Sequence, residues 1–273
     1  MKKVYIFFLL PLFAFILFTI IIPLLLIFYN TFTYYGIEKL GELFSIQSYA
    51  LKSLLFTIFV ATLSTLFSVI IGYGIALYMI LKRKYIKIVM QLLRIPLFIP
   101  YITIGYIWRA FLNPRGHGTM IASMIASCFN LPAVKSLVGT GWAINIAHTW
   151  LYIPVVFSIT YAVLLKINPE IIDAARSLGA KGLTLVTRIY IPLTWRAVLA
   201  AFVLVFMGSL RGVSIPLILG SNPDYFPVYI YRVLTDYYDK PLANALSFVF
   251  FIISATLAFI YFKLALRIRK TGV

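Results

Sequence analysis

Acidic side chains are scarce: seven Asp and Glu stand among 273 residues, against 24 Lys and Arg, for a net charge of +17. None of the seven falls inside a long apolar run, which speaks against a carrier driven through an intramembrane proton or cation site. Cysteine is reduced to one residue, Cys128, so the chain has neither a disulfide framework nor a Cys-based metal cluster. No glycine-rich phosphate loop ending in Gly-Lys-Ser/Thr is present. Nor is there a paired-carboxylate, Cys/His or Ser-His-Asp arrangement that would support catalysis. The expectation is a chain that is not an enzyme, holds no cofactor, and leaves any ATP hydrolysis to a separate subunit.

Charge of either sign is also rare, at 11% of residues, whereas 63% are hydrophobic; mean hydropathy is +1.01. Soluble domains carry about 25% charged and roughly 45–50% apolar residues, so lipid must be the solvent for much of this surface. A β-barrel would alternate over segments of about ten residues. Here the apolar runs are continuous: Val4–Tyr29, Leu54–Leu81, Ile88–Leu112, Leu137–Leu165, Leu193–Leu219 and Leu242–Phe262. Each is long enough, at 1.5 Å per residue, to cross a core of about 30 Å. The first run is too long for a signal peptide and reads as a retained helix. The fold class is therefore all-α, a six-helix membrane bundle occupying residues 1–273 as one domain. Thr119–Leu131, too short to span, is expected to lie at the interface or fold back.

Basic residues sit at the ends of these runs rather than on one soluble face, which excludes nucleic acid as a partner. Fifteen of them, among them Lys2, Lys3, Lys82, Arg176, Arg188 and Lys270, fall on one side and six on the other. The positive-inside rule then puts both termini in the cytoplasm of a multi-pass cell-membrane protein. Outer loops fall at 30–52, 113–136 and 221–241. Tyr34, Tyr35, Trp108, Trp142, Trp150, Tyr225, Tyr237 and Tyr238 are expected in an outer aromatic belt.

The inner connection at 166–191 contains NPEIIDAARSLGAKGLTLVTRIYI. Asn168 is placed to cap a helix, Pro169 suits its first turn, and Glu170 and Asp173 lie where the dipole favours acids. Asp173-Ala174-Ala175 offers a small-residue surface, while Gly179 and Gly182 stop or bend the helix. Such a knob suits a groove on a cytoplasmic partner. The order Asp173-Ala174-Ala175, Gly179, then Ile189-Tyr190-Ile191-Pro192 resembles the EAA loop of binding-protein-dependent type I ABC importer permeases, with Asp173 for Glu and Ile191 for Leu.

That resemblance implies a MetI-like permease whose coupling helix docks on an ATPase through Glu170, Asp173, Ala174, Ala175, Leu178 and Gly179. It further implies a second permease, identical or not, two cytoplasmic ATPase subunits, an extracytoplasmic solute-binding protein and surrounding lipid. Phe202–Tyr231 resembles the polyamine and ferric-iron group, and Trp108–Pro114 the sugar group. An ion-coupled secondary transporter is the competing reading.

Three arginines lie inside apolar runs, where charge is costly. Arg94 is near a cytoplasmic end, within reach of lipid phosphates. Arg109, near the outer interface, and the deeper Arg211 are pathway candidates, Arg211 flanked by Gly208 and Gly212, which permit close approach or local unwinding. For Arg211 the alternative is a structural pair with an acid or carbonyl on another helix. With no acid in any span, a cation path lined by this chain alone is unfavourable; a neutral polyol, a sugar or an anion fits better. His117 is expected in a solvated loop, and His148 hydrogen-bonded locally.

Overall fold

A computed structural model describes residues 10–43, 45, 48–82 and 86–270. The expected start of the first span at Val4, and Lys2, Lys3, Arg83 and Lys84 of the charge count, lie outside them. Apart from one bridge between Gly139 and Ser221, the regular structure among these residues is helical. In chain order it comprises α1 (Leu10–Tyr35), α2 (Ile37–Glu42), α3 (Tyr49–Lys82), α4 (Ile86–Phe98), α5 (Tyr101–Leu112) and α6 (His117–Cys128). There follow α7 (Gly141–Leu164), α8 (Pro169–Ser177), α9 (Leu183–Leu210), α10 (Ser214–Leu219), α11 (Phe226–Thr235) and α12 (Lys240–Lys270).

The centre is α3, α7 and α9 packed on one another. On α3 the buried positions Ser53, Thr57, Ala61, Ser64, Ser68, Gly72 and Ala76 recur every three or four residues, a stripe of small side chains on one helix face. Lipid tails are as apolar as leucine, so membrane helices associate by close van der Waals approach, which small residues allow. At Gly72 the approach is tightest: a Cβ there would fall 2.8 Å from Val156 Cβ and 2.9 Å from the Ile153 carbonyl oxygen. The hydroxyls need not compete with this packing. Thr57, Thr65 and Ser68 each donate to a carbonyl one turn back, at 2.8, 2.7 and 2.7 Å. Outside this centre, α1 leans on α12 through Phe28, whose ring lies 4.5 Å from that of Phe248.

Two of the six apolar runs are not continuous helices. Helices α4 and α5 meet at an angle of 104°, where a single span over Ile88–Leu112 was expected. Pro100 accounts for the break: it has no N–H to give to a preceding turn, its ring disfavours the α conformation at Ile99, and it serves as the N-cap of α5 with ψ at 139°. The run Leu193–Leu219 likewise divides. Helix α9 stops at Leu210, Arg211 takes φ −94° and ψ 7°, and α10 begins again at Ser214. Among the described residues, five helices are long and apolar enough to cross a membrane, six with the bent pair counted as one span. Thr119–Leu131 coincides largely with α6, and the 221–241 connection contains α11.

Candidate functional site

The candidate docking segment is built by local capping. The Asn168 side-chain oxygen accepts from the Glu170 amide at 3.1 Å, and Pro169 occupies the first turn of α8. At the other end Gly179 takes φ +87°, a left-handed conformation that disfavours other residues. Its amide donates to the Arg176 carbonyl at 2.9 Å and the Ala180 amide to the Ala175 carbonyl at 3.0 Å, the paired bonds of a Schellman termination. Gly182, at φ +47°, turns the chain again before α9.

The two faces of α8 differ sharply. Ile172, only 7% exposed, anchors it among Tyr73, Tyr161, Leu164, Leu185 and Tyr190. The other face presents Glu170, Asp173, Ala174 and Gly179 to solvent, with Ile171 44%, Leu178 90% and Leu183 77% exposed. Ala175 lies apart from these candidates, half-buried against the anchoring cluster. The Asp173–Arg176 pair at 3.5 Å is largely solvated and contributes little to stability. What α8 offers is therefore shape and apolar surface rather than a charge already satisfied within the chain.

The second constellation lies where both broken runs meet. Tyr101 opens α5 just after the 104° bend, and Ser214 opens α10 just after the Arg211–Val213 break. Both line a cavity of about 240 Å³, together with Tyr152 and His148 of α7 and with Gly208, Arg211 and Gly212. Three of the four residues singled out from the sequence thus share one cavity. The glycines are there for space: a Cβ on Gly208 would lie 2.8 Å from the Tyr152 hydroxyl, and one on Gly212 3.3 Å from His148 Nε2.

Arg109, the fourth, does not line the cavity; its Nη1 donates to the Ile218 carbonyl at 2.7 Å. Gly105, one turn earlier, lets α5 lie directly on α10, since a Cβ there would come within 2.9 Å of Ile218 Cβ. Arg109 and Gly105 together clasp α10 to α5 beside the cavity. Arg94 lies exposed on α4, away from the cavity.

Behind the cavity a polar seam joins the central helices. His148 Nδ1 and Ser209 Oγ are 2.8 Å apart, and Ser209 Oγ and Ser64 Oγ 3.1 Å. His148 is thus hydrogen-bonded, as expected, but to a residue 61 positions away rather than locally. Tyr225, expected in the outer belt, is fully buried, and its hydroxyl donates to the Ser209 carbonyl at 3.0 Å. Burial pushes its phenol pKa up, so it stays a donor. That bond gives a second donor to the Ser209 carbonyl at the end of α9, which also accepts from the Gly212 amide at 3.0 Å. Sequence reasoning missed Tyr101, Tyr152 and Ser209; the available signal was Pro100, whose break turns Tyr101 into a helix start. The described residues contain no cluster of His, Cys, Asp and Glu able to hold a metal ion.

Residues 68–270 match a family described as the binding-protein-dependent transport system inner membrane component. Among curated relatives, a probable molybdenum ABC transporter permease protein of Haloferax volcanii is 26% identical over 63% of this chain and 60% of its own length, so the match spans less than two thirds of that relative. The spermidine/putrescine transport system permease protein PotB of Haemophilus influenzae is 23% identical over 74% of this chain and 70% of its own. Among solved structures, a chain of a bacterial alginate ABC transporter, crystallised with an alginate pentasaccharide-bound periplasmic protein, superposes with a TM-score of 0.81 at 22% identity. It covers 100% of this chain and 98% of that one.

Proposed function

Because this chain belongs to the family of inner membrane components of binding-protein-dependent transport systems, we propose that it is one half of an ATP-driven importer's translocation path. It pairs with a second permease, receives a small hydrophilic solute from an extracytoplasmic binding protein, and takes its energy from two cytoplasmic ATPase subunits. The similar proteins are named for molybdenum, polyamines and alginate, so kinship does not choose the solute. That choice falls to the chemistry of the cavity.

The observation that carries this reading is the build of α8. A nine-residue helix anchored by Ile172 and fixed at both ends holds Ala174 and Leu178 outward, exposed among the described residues. Burying such a patch needs a partner. It belongs to the side that gathers most of the basic residues, which puts the partner, and both termini, in the cytoplasm. In the assembled path the break at Arg211–Val213 faces the solute, since irregular backbone at membrane depth is tolerated where it lines a cavity.

Ala174→Trp tests the docking role, because position 174 is exposed while 175 also packs inward. The expected result is normal insertion and assembly with loss of solute-stimulated ATPase activity. Unchanged stimulation would overturn the assignment of α8 as the docking surface.

A further inference from the structure

We infer that the solute handled at the Arg211 cavity is an anion rich in acceptor oxygens, a carboxylate or oxyanion compound, rather than a cation or a polyamine. The inference rests on the reading that this cavity lies on the translocation path, and adds the charge of the cargo.

Its basis is a mismatch of charge within the chain. Arg211 is the one charged side chain lining the cavity, and arginine carries a fixed positive charge. It makes no hydrogen bond or ion pair among the described residues. None of the seven acids is available to it. Glu38, Glu42, Glu170, Asp173, Asp236 and Asp239 lie in connections outside the cavity. Asp224, the acid beside Tyr225, is already held by Arg232 Nη1 at 2.8 and 3.0 Å.

The rest of the polar lining is uncharged or able to donate. Tyr101, Tyr152 and Ser214 bring hydroxyls that can donate as well as accept, His148 brings an imidazole ring, and Arg211 adds a planar fork of N–H groups suited to paired oxygens. A cation entering here would meet a fixed positive charge with no carboxylate to offset it. A carboxylate or oxyanion would meet the donors it needs, in a site whose low-dielectric walls concentrate the field.

The charge of the cavity can be read without knowing the solute. Cys128 is exposed, so Cys128→Ser gives a thiol-free background into which Ser214→Cys or Val213→Cys is placed in the full chain, reconstituted with its transporter partners. Each variant is reacted with an anionic reagent, sulfonatoethyl methanethiosulfonate, and a cationic one, trimethylammonioethyl methanethiosulfonate, with rates normalised to a free thiol. Field focusing predicts a preference for the anionic reagent of roughly 10-fold or more, largely lost in Arg211→Gln. Reaction with both reagents at equal rates, or faster with the cation, overturns the anion inference and leaves the pathway reading standing. Failure of both cysteines to react with either reagent overturns the pathway reading and the inference with it.

Discussion

Ser209 is the hub of the seam behind the cavity, and its removal makes a quantitative test. The Ser209→Ala variant loses two side-chain contacts, to His148 Nδ1 at 2.8 Å and to Ser64 Oγ at 3.1 Å. Hydrogen bonds between membrane helices average about 0.6 kcal/mol each, with a maximum near 1.7. The lost bonds alone therefore cost about 1–3 kcal/mol. The partners do not suffer equally. Ser64 keeps its contacts to the carbonyls of Val60 at 2.9 Å and Ala61 at 3.2 Å. His148 is only 2% exposed and would be left with a bare Nδ1, so the cost should lie towards the upper end of that range.

The complementary variant, Ser64→Ala, removes the 3.1 Å contact but leaves His148 and Ser209 joined. It should cost under about 1 kcal/mol. The assay is reversible unfolding in bicelles, with Ser209→Ala, Ser64→Ala and the double variant compared. The order of the single variants is the diagnostic. Should Ser64→Ala prove as destabilising as Ser209→Ala, or Ser209→Ala be neutral, His148 is not held through Ser209 and the seam does not support the cavity wall.

Two further outcomes are expected. In Gly105→Leu the new side chain collides with Ile218, so α10 must shift and the Arg109–Ile218 bond with it; a loss of about 1–3 kcal/mol together with impaired transport should appear, and wild-type uptake would contradict the clasp. With Cys128 replaced by Ser, cysteines at Glu42 or Asp236 should be labelled by an impermeant maleimide in intact cells, whereas labelling only after permeabilisation would reverse the topology drawn from the 15-to-6 basic asymmetry.

Helix α8, the proposed docking helix, was readable from sequence because every signal that shapes it is local. Asn168 and Pro169 start it, Gly179 ends it, and each acts through backbone geometry within a turn of its own position. The cavity was only half readable. Gly208 and Gly212 marked where α9 could unwind, and the chain does break there, but the wall opposite comes from Tyr101, His148 and Tyr152. Tyr101 depends on the bend at Pro100, which continuous hydropathy across Ile88–Leu112 conceals. Tyr225 was misjudged for a related reason. An aromatic residue near a span's end suits an interfacial belt by composition, whereas Tyr225 packs into the central cluster with Ile144, Ala147 and Ile215 and reaches the Ser209 carbonyl, contacts made by residues distant in sequence.

The two constellations stand at the ends of one element. Helix α9 begins at Leu183, directly after Gly182 of the proposed docking segment, and ends at Leu210, directly before Arg211. Its 28 residues span about 42 Å at the α-helical rise. Near its start Tyr190 packs beside Ile172, the anchor of α8, and Thr194 is tied to Tyr73 of α3 at 2.6 Å. At its far end Ser209 is held by His148, Ser64 and Tyr225. A close-packed helix transmits displacement along its axis with little compression, because interiors at this density deform poorly. A push on α8 from below therefore bears on Tyr190 and, through α9, on the residue next to the solitary arginine. The break at Arg211–Val213 is where such a displacement has room to be absorbed, since these three residues belong to neither α9 nor α10. The cavity and α8 are in this way joined through a single helix.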